Sequence, residues 1–126
     1  MSSDRTVGLP PLAPPGSATI GDFERLDLRV ARVLSAEPLA NARVPAYRLW
    51  LDLGAGGERQ SAARLTRSYP DPARLVGRLV VVVANLPPRR VAGFRSDVLV
   101  LGALAPDGMV PLVSLDDGAR PGQRIG

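Results

Sequence analysis

The stretch that decides the fold is Asn85-Leu86-Pro87-Pro88-Arg89-Arg90-Val91-Ala92-Gly93-Phe94-Arg95-Ser96-Asp97-Val98-Leu99-Val100-Leu101-Gly102. It begins where a continuous aliphatic run, Leu79 to Ala84, gives out; such a run reads as a buried strand. Pro87 and Pro88 lack a backbone donor and stop the strand. Arg89, Arg90 and Arg95 then surround a single aromatic, Phe94, before the chain enters a second apolar strand from Val98 to Leu101. Two strands joined in this way hold a cationic, partly apolar loop on the rim of a small β-barrel.

Further strand signals lie on both sides. Leu28–Ser35 is β-branched and partly alternating. Tyr47-Arg48-Leu49-Trp50-Leu51-Asp52-Leu53 alternates cleanly, with Tyr47, Leu49, Leu51 and Leu53 on one face and Arg48, Trp50 and Asp52 on the other. Gly54-Ala55-Gly56-Gly57 loosely has nucleotide-loop lettering, but the polar strand Glu58–Ala63 follows it rather than a helix, so the pair reads as a hairpin. Pro72–Val76 is expected to form a short helical turn capping the barrel. Val98–Leu104 and Val110–Leu115 flank the turn Pro106-Asp107-Gly108 and read as a further strand pair. Pro121 to Ile125 is expected to form a terminal rim. At the other end, residues 1–18 are rich in Pro, Gly, Ser and Ala and read as a flexible tail, leaving 19–126 as one folded domain. Leu9-Pro10-Pro11-Leu12 within the tail has the lettering of a polyproline ligand. Thr19 and Asp22 fit a helix-capping pattern. Phe23 and Leu26, three apart on that short helix, are expected to plug one end of the barrel.

Composition excludes most chemistry. The chain has 126 residues, with no cysteine and no histidine, and all sixteen of its cationic side chains are arginine. Disulfides, thiolate metal sites, imidazole bases and Schiff-base lysines are therefore absent. Ser61, Ser68, Ser96 and Ser114 have no base to activate them. Asp107, Asp116 and Asp117 lie in turn signals beside glycine and read as turn residues rather than cation ligands. No catalytic residue, metal or cofactor is expected; the chain reads as a binding module and not an enzyme. Between Arg59 and Arg95 there are eight arginines and one acid, a net +7, whereas the rest of the chain carries −3. That asymmetry implies an anionic partner for one face. No run of 18 apolar residues is present, and prolines interrupt the N-terminal segment, so a cytoplasmic protein without membrane insertion is expected.

Pattern alone supports a small all-β barrel or sandwich. The motifs go further. Asp22-Phe23-Glu24-Arg25-Leu26-Asp27-Leu28-Arg29-Val30, Ala42-Arg43-Val44-Pro45-Ala46-Tyr47 and Gln60-Ser61-Ala62-Ala63-Arg64-Leu65-Thr66 resemble successive motifs of the tRNA-binding-domain family of OB-fold proteins. The family has serine where this chain has Ala62 and glutamine where it has Arg64. Ala92-Gly93-Phe94-Arg95-Ser96-Asp97-Val98-Leu99 is similar to the CsaA-type branch; other branches, including the methionyl-tRNA synthetase C-terminal domain, usually read Ser-Glu-Gly-Met where this chain has Ser96 to Leu99. The resemblance runs from about Asp22 to Gly126 and implies an all-β, OB-fold five-stranded Greek-key barrel with short capping helices.

The resemblance also implies function. In one reading the chain is a homodimeric CsaA-like export chaperone that binds unfolded or precursor polypeptides, with Phe94, Val91, Leu86 and Pro87 lining an apolar pocket and Arg89, Arg90 and Arg95 ringing it. In the other it is a structure-specific tRNA-binding protein using the same arginines on phosphates. The candidate tRNA- or peptide-binding residues are Arg64, Arg67, Asn85, Leu86, Pro87, Arg89, Arg90, Val91, Phe94, Arg95 and Ser96. The apolar C-terminal stretch Val110–Ile125 and Trp50 are candidates for the contact between two copies. A third reading makes the loop no more than part of that contact.

Overall fold

The computed structural model describes residues 16–126; the segment 1–15, with the Leu9–Leu12 polyproline lettering and most of the expected tail, lies outside the described residues. A short helix α1 (Ile20–Glu24) leads into β1 (Leu28–Pro38), β2 (Tyr47–Asp52), β3 (Glu58–Ala63), β4 (Leu79–Val83), β5 (Arg89–Val91), β6 (Phe94–Ser96) and β7 (Leu99–Val100). Five strands form an antiparallel sheet in the order β3-β2-β1-β4-β7, and β5 with β6 forms a separate two-stranded ribbon. The sheet curls until β3 comes back against β6 and β7, giving a nearly closed barrel of the OB type.

One long strand makes the curl possible. Leu28–Arg32 of β1 pairs with β4, and Arg32–Pro38 pairs with β2, with an irregularity in register between Val33 and Ser35. An extra residue at such a point bends the strand and lets it serve two walls. The clean alternation of β2 is realised: Tyr47, Leu49, Leu51 and Leu53 are buried, together with Val33, Val80 and Val82. The Gly54–Gly56 segment is a tight 3-10 turn joining β2 to β3 as a hairpin.

Two expectations are corrected. The capping box at Thr19 is present, with Asp22 N–H donating to Thr19 Oγ and Thr19 N–H donating to the Asp22 carboxylate. Yet α1 buries nothing, and the expected plug is absent: Phe23 on α1 and Leu26 just after it are each 39% exposed. The core is filled instead by Leu75, fully buried on the 3-10 turn Pro72–Leu75, which Asp71 caps. The strand pair Val98–Leu104 and Val110–Leu115 also shrinks, to β7 and a single bridge between Gly102 and Leu112. Pro106 and Pro111 lack donors, and the Val110 and Leu112 N–H groups donate to Ser68 Oγ at 2.6 Å and Tyr69 Oη at 2.9 Å. Side chains capture the donors that a ladder would need.

The last residues close the first strand. Gly122 N–H donates to the Val30 carbonyl, Val30 N–H to Gln123 and Ile125 N–H to Leu28, all within 2.9 Å. The segment packs so closely on the β2–β3 turn that a Cβ at Gly122 would lie 2.6 Å from the Leu53 carbonyl oxygen, and one at Gly54 would lie 2.4 Å from that of Pro121. At the other end of β2, the buried Tyr47 hydroxyl donates to the Tyr69 carbonyl at 2.7 Å, with the Pro70 carbonyl at 3.1 Å. Burial, and secondarily the negative charge of Asp71, raises the Tyr47 phenol above its ordinary pKa of 10.0.

Gly122→Ala should therefore cost about 2–4 kcal/mol, since its φ of +91° and the Leu53 contact both oppose a side chain. Gly118→Ala, at a positive φ but facing open space, should cost clearly less; thermal melting of the two variants checks this. Folded Tyr47 keeps its proton at a pH where the unfolded chain releases it. Its contribution to stability is thus full below about pH 10 and is lost as pH rises past that value. Denaturant titrations from about pH 8 to 11 should show a steeper alkaline loss for the wild type than for Tyr47→Phe, which starts about 1 kcal/mol less stable for want of its hydrogen bond.

Candidate functional site

The expected basic loop is a β-hairpin. Arg89 pairs with Ser96, Arg90 with Arg95 and Val91 with Phe94. Ala92 and Gly93 make the turn with φ of 50° and 81°, both positive as a two-residue type I′ connection requires. Ala-Gly signals this turn more weakly than Asn-Gly, which is why the sequence reads as a loop.

The hairpin is anchored by the Gln60-Ser61-Ala62 motif of β3. Gln60 Nε2 donates to the Arg95 carbonyl at 2.6 Å and Asp97 N–H to the Gln60 carbonyl at 2.8 Å. Ser61 Oγ donates to the Val98 carbonyl at 2.8 Å, and Ala62 N–H donates to Ser96 Oγ at 3.0 Å. At position 62 the backbone, not a side chain, makes the contact, so alanine serves there. At the root of the ribbon, Asn85 accepts from Asp27 N–H and donates to the Arg25 carbonyl, each at 2.8 Å. Two of the candidate residues, Asn85 and Ser96, thus spend their polar groups on other residues of the chain.

The other candidates divide. Arg95 is paired with Asp97 at 2.9 Å. Arg90 donates to the Gly93 carbonyl at 3.2 Å. Arg67 lays its stem beside Gly108 and is not among the residues lining the clefts at the hairpin. Val91, Leu86 with Pro87, and Phe94 line three different clefts rather than one pocket. Leu86 and Pro87 sit at the ribbon's root, with Val91 beside its tip. Phe94 meets Trp50 edge-on, with ring centroids 6.2 Å apart and planes at 82°.

Arg64, Arg89 and Val91 do come together, in a cleft of about 680 Å³ between the hairpin and the loop that joins β1 to β2. That loop adds Arg43, Val44 and Ala46, which the sequence reasoning did not select as binding residues. Arg43 lies outside the arginine-dense stretch, and only folding brings it to the others. Among the described residues, the ion pairs involve Arg25, Arg29, Arg48 and Arg95; Arg43, Arg64 and Arg89 have no carboxylate partner. No acid lines the cleft, so three positive charges stand uncompensated beside an apolar wall of Val44, Ala46, Ala62 and Val91. No group of metal-ligating side chains and no helix long and apolar enough to cross a membrane occurs among the described residues.

The family described as "Putative tRNA binding domain" matches residues 28–124, nearly the whole barrel. The chain belongs to the tRNA-binding-domain family. A methionine–tRNA ligase of Rhodopirellula baltica is 45% identical over 123 residues, which are 98% of this chain but 18% of the ligase. The chain therefore spans less than a fifth of that curated relative. Among solved structures, the chaperone CsaA of Bacillus anthracis has 44% identity and a TM-score of 0.82, over 88% of this chain and 100% of that one. A protein related to methionyl-tRNA synthetase from Pyrococcus horikoshii has 25% identity and a TM-score of 0.78, over 86% and 97% of the two chains. Within the family, the match covers the whole chain of the Bacillus anthracis chaperone.

If Ser96 serves the seam between β3 and the hairpin, Ser96→Ala leaves the Ala62 N–H without its acceptor. A loss of about 1–3 kcal/mol is expected in denaturant unfolding.

Proposed function

We propose that this chain is a CsaA-type chaperone that binds unfolded or precursor polypeptides as a homodimer in the cytoplasm, and that the cleft between the hairpin and the β1–β2 loop is its client site. One observation carries the reading: the three unpaired arginines stand beside an apolar wall. A phosphate backbone needs only the cations, whereas an unfolded polypeptide offers apolar side chains for the wall and carboxylates for the forks. The end-to-end likeness to the Bacillus anthracis chaperone supports it. Exposed apolar residues support the contact between copies: Ile20 and Phe23 on α1, Leu26 just after it, and Leu99, Leu104 and Val113 on and after β7. The chain acts by binding, without catalysis.

A second reading is favoured by the free arginines themselves. Arg43, Arg64 and Arg89 form a fork cluster suited to phosphates, and the family assignment supports tRNA as a ligand read through its shape. The same cleft then serves a different partner.

Paired binding assays divide the two. Val44→Ser with Val91→Ser should weaken an unfolded precursor about fivefold or more and leave total tRNA within about twofold. Arg43→Gln with Arg64→Gln and Arg89→Gln should remove most tRNA binding and lower its slope of log K against log salt by about 2. Client binding should weaken only modestly in that triple variant. Light scattering of the same preparation should give twice the 13.3 kDa chain mass. Clients unaffected by the valine changes, with tRNA lost to the arginine changes, would leave the tRNA reading alone standing.

A further inference from the structure

The proposed client cleft does not end at the hairpin tip. Asn41 and Ala92 line it and also line the smaller cleft, of about 300 Å³, that holds Phe94. The two clefts adjoin between the β1–β2 loop and the hairpin and share one residue on each wall, Asn41 and Ala92, which form the divide, or saddle, between these two lobes. Asn41 and Ala92 are also the non-glycine residues with positive φ among the described ones, at 64° and 50°. Alanine is a costly choice for the first position of a type I′ turn, where asparagine or glycine is at home. A small, uncharged methyl keeps the saddle low where the favoured asparagine would put an amide. On the opposite wall Asn41, exposed, presents both a donor and an acceptor.

The lobes differ in charge. The first holds Arg43, Arg64 and Arg89 without a carboxylate. In the second, Arg48 is met by Glu37 at 2.5 Å, and the other walls include Pro38, Leu39 and Phe94. One lobe attracts an anion, while the other has its cation paired and offers Pro38, Leu39 and the Phe94 ring to an apolar side chain.

Building on the polypeptide reading above, we propose that the two lobes act as one groove, which selects an extended segment in which an acidic residue and a bulky apolar residue are separated by one position. The carboxylate enters the arginine lobe and the apolar side chain enters the Phe94 lobe. The Asn41 amide exchanges hydrogen bonds with the peptide group that crosses the saddle. Same-face side chains of an extended chain recur every second residue, roughly 6.5–7 Å apart, which suits a divider one residue thick. A carboxylate accepts both prongs of an arginine fork, so the acid fixes position while the apolar residue adds burial. A hydrogen bond from Asn41 to backbone is independent of sequence, as a site for many clients requires.

Fluorescence anisotropy of the full chain with labelled ten-residue peptides in a Ser/Gly background tests this. A Glu-Ser-Phe peptide is expected to bind about tenfold or more tightly than its Gln-Ser-Phe and Glu-Ser-Ser counterparts. Glu-Phe without a spacer, and Glu and Phe four residues apart, should fall to the level of those single substitutions. Asn41→Gly keeps the left-handed backbone comfortable, so the melting temperature should hold while every peptide binds about fivefold more weakly. Peptide binding indifferent to spacing, or to Glu→Gln, would overturn the two-lobed groove and leave the polypeptide function intact. Unchanged binding in Asn41→Gly would remove the amide from the scheme. A uridine oligonucleotide that displaces Glu-Ser-Phe and binds more tightly would overturn the proposal in favour of RNA. If neither these peptides nor an unfolded precursor binds, the groove and the chaperone reading fall together.

Discussion

The seam between β3 and residues 95–98 is the constraint on which the barrel and the site both depend. A sheet of five strands leaves two edges, and an open edge invites pairing with other chains. Here β3 is closed by Gln60 and Ser61, whose side chains donate to the carbonyls of Arg95 and Val98, and by the Ala62 N–H on Ser96 Oγ. Each such bond is worth only about 0.5–1.5 kcal/mol net, but an unmade one strands a buried polar group. Because side chains do much of the closing, the ribbon is not bound into a continuous ladder. Its tip reaches the β1–β2 loop, and that meeting forms the adjoining clefts that share Asn41 and Ala92.

Charge is distributed to the same end. Four arginines find acids close in sequence or across a strand pair: Arg25 with Asp22, Arg29 with Asp27, Arg48 with Glu37 and Arg95 with Asp97. Exposed pairs of this kind add little stability. Their effect on the surface potential is larger, because they leave Arg43, Arg64 and Arg89 as the unpaired cluster in the cleft. Arg95, which looks like part of the cationic ring in the sequence, is spent on Asp97.

What could be read from the sequence was local. The alternation of Tyr47 to Leu53, the aliphatic run of β4 and the Thr19 cap are properties of neighbouring residues, and each took its expected form. Long-range competition was not legible. The capping box fixes a helix turn but not what the turn packs on, so Phe23 was expected inside and lies at the surface, while Leu75 fills the core. Val110 to Leu115 has strand lettering, but Ser68 and Tyr69, some forty residues earlier, take its donors. The site was half legible. Arg64, Arg89 and Val91 were chosen from motif and charge, but the convergence of Arg43 and Val44 from another loop has no signature along the chain. Ser96 and Asn85 carry motif identity for a reason that their hydrogen bonds reveal: they fasten the hairpin at its two ends.

The clasp of residues 122–125 on the first half of β1 has a consequence for how the chain comes to be folded. Val30 waits for Gly122 and Gln123, so a strand made early is completed by residues made nearly a hundred positions later. During synthesis the hairpin of β2 and β3 can form at once, but the free edge of Leu28 to Val30 stays open until residues 122–125 have been made. Contacts so distant in sequence slow folding, because the loop they close must be ordered first. An emerging copy of this protein thus passes through a stage with an apolar strand edge exposed, the same kind of surface that a chaperone of unfolded chains would recognise.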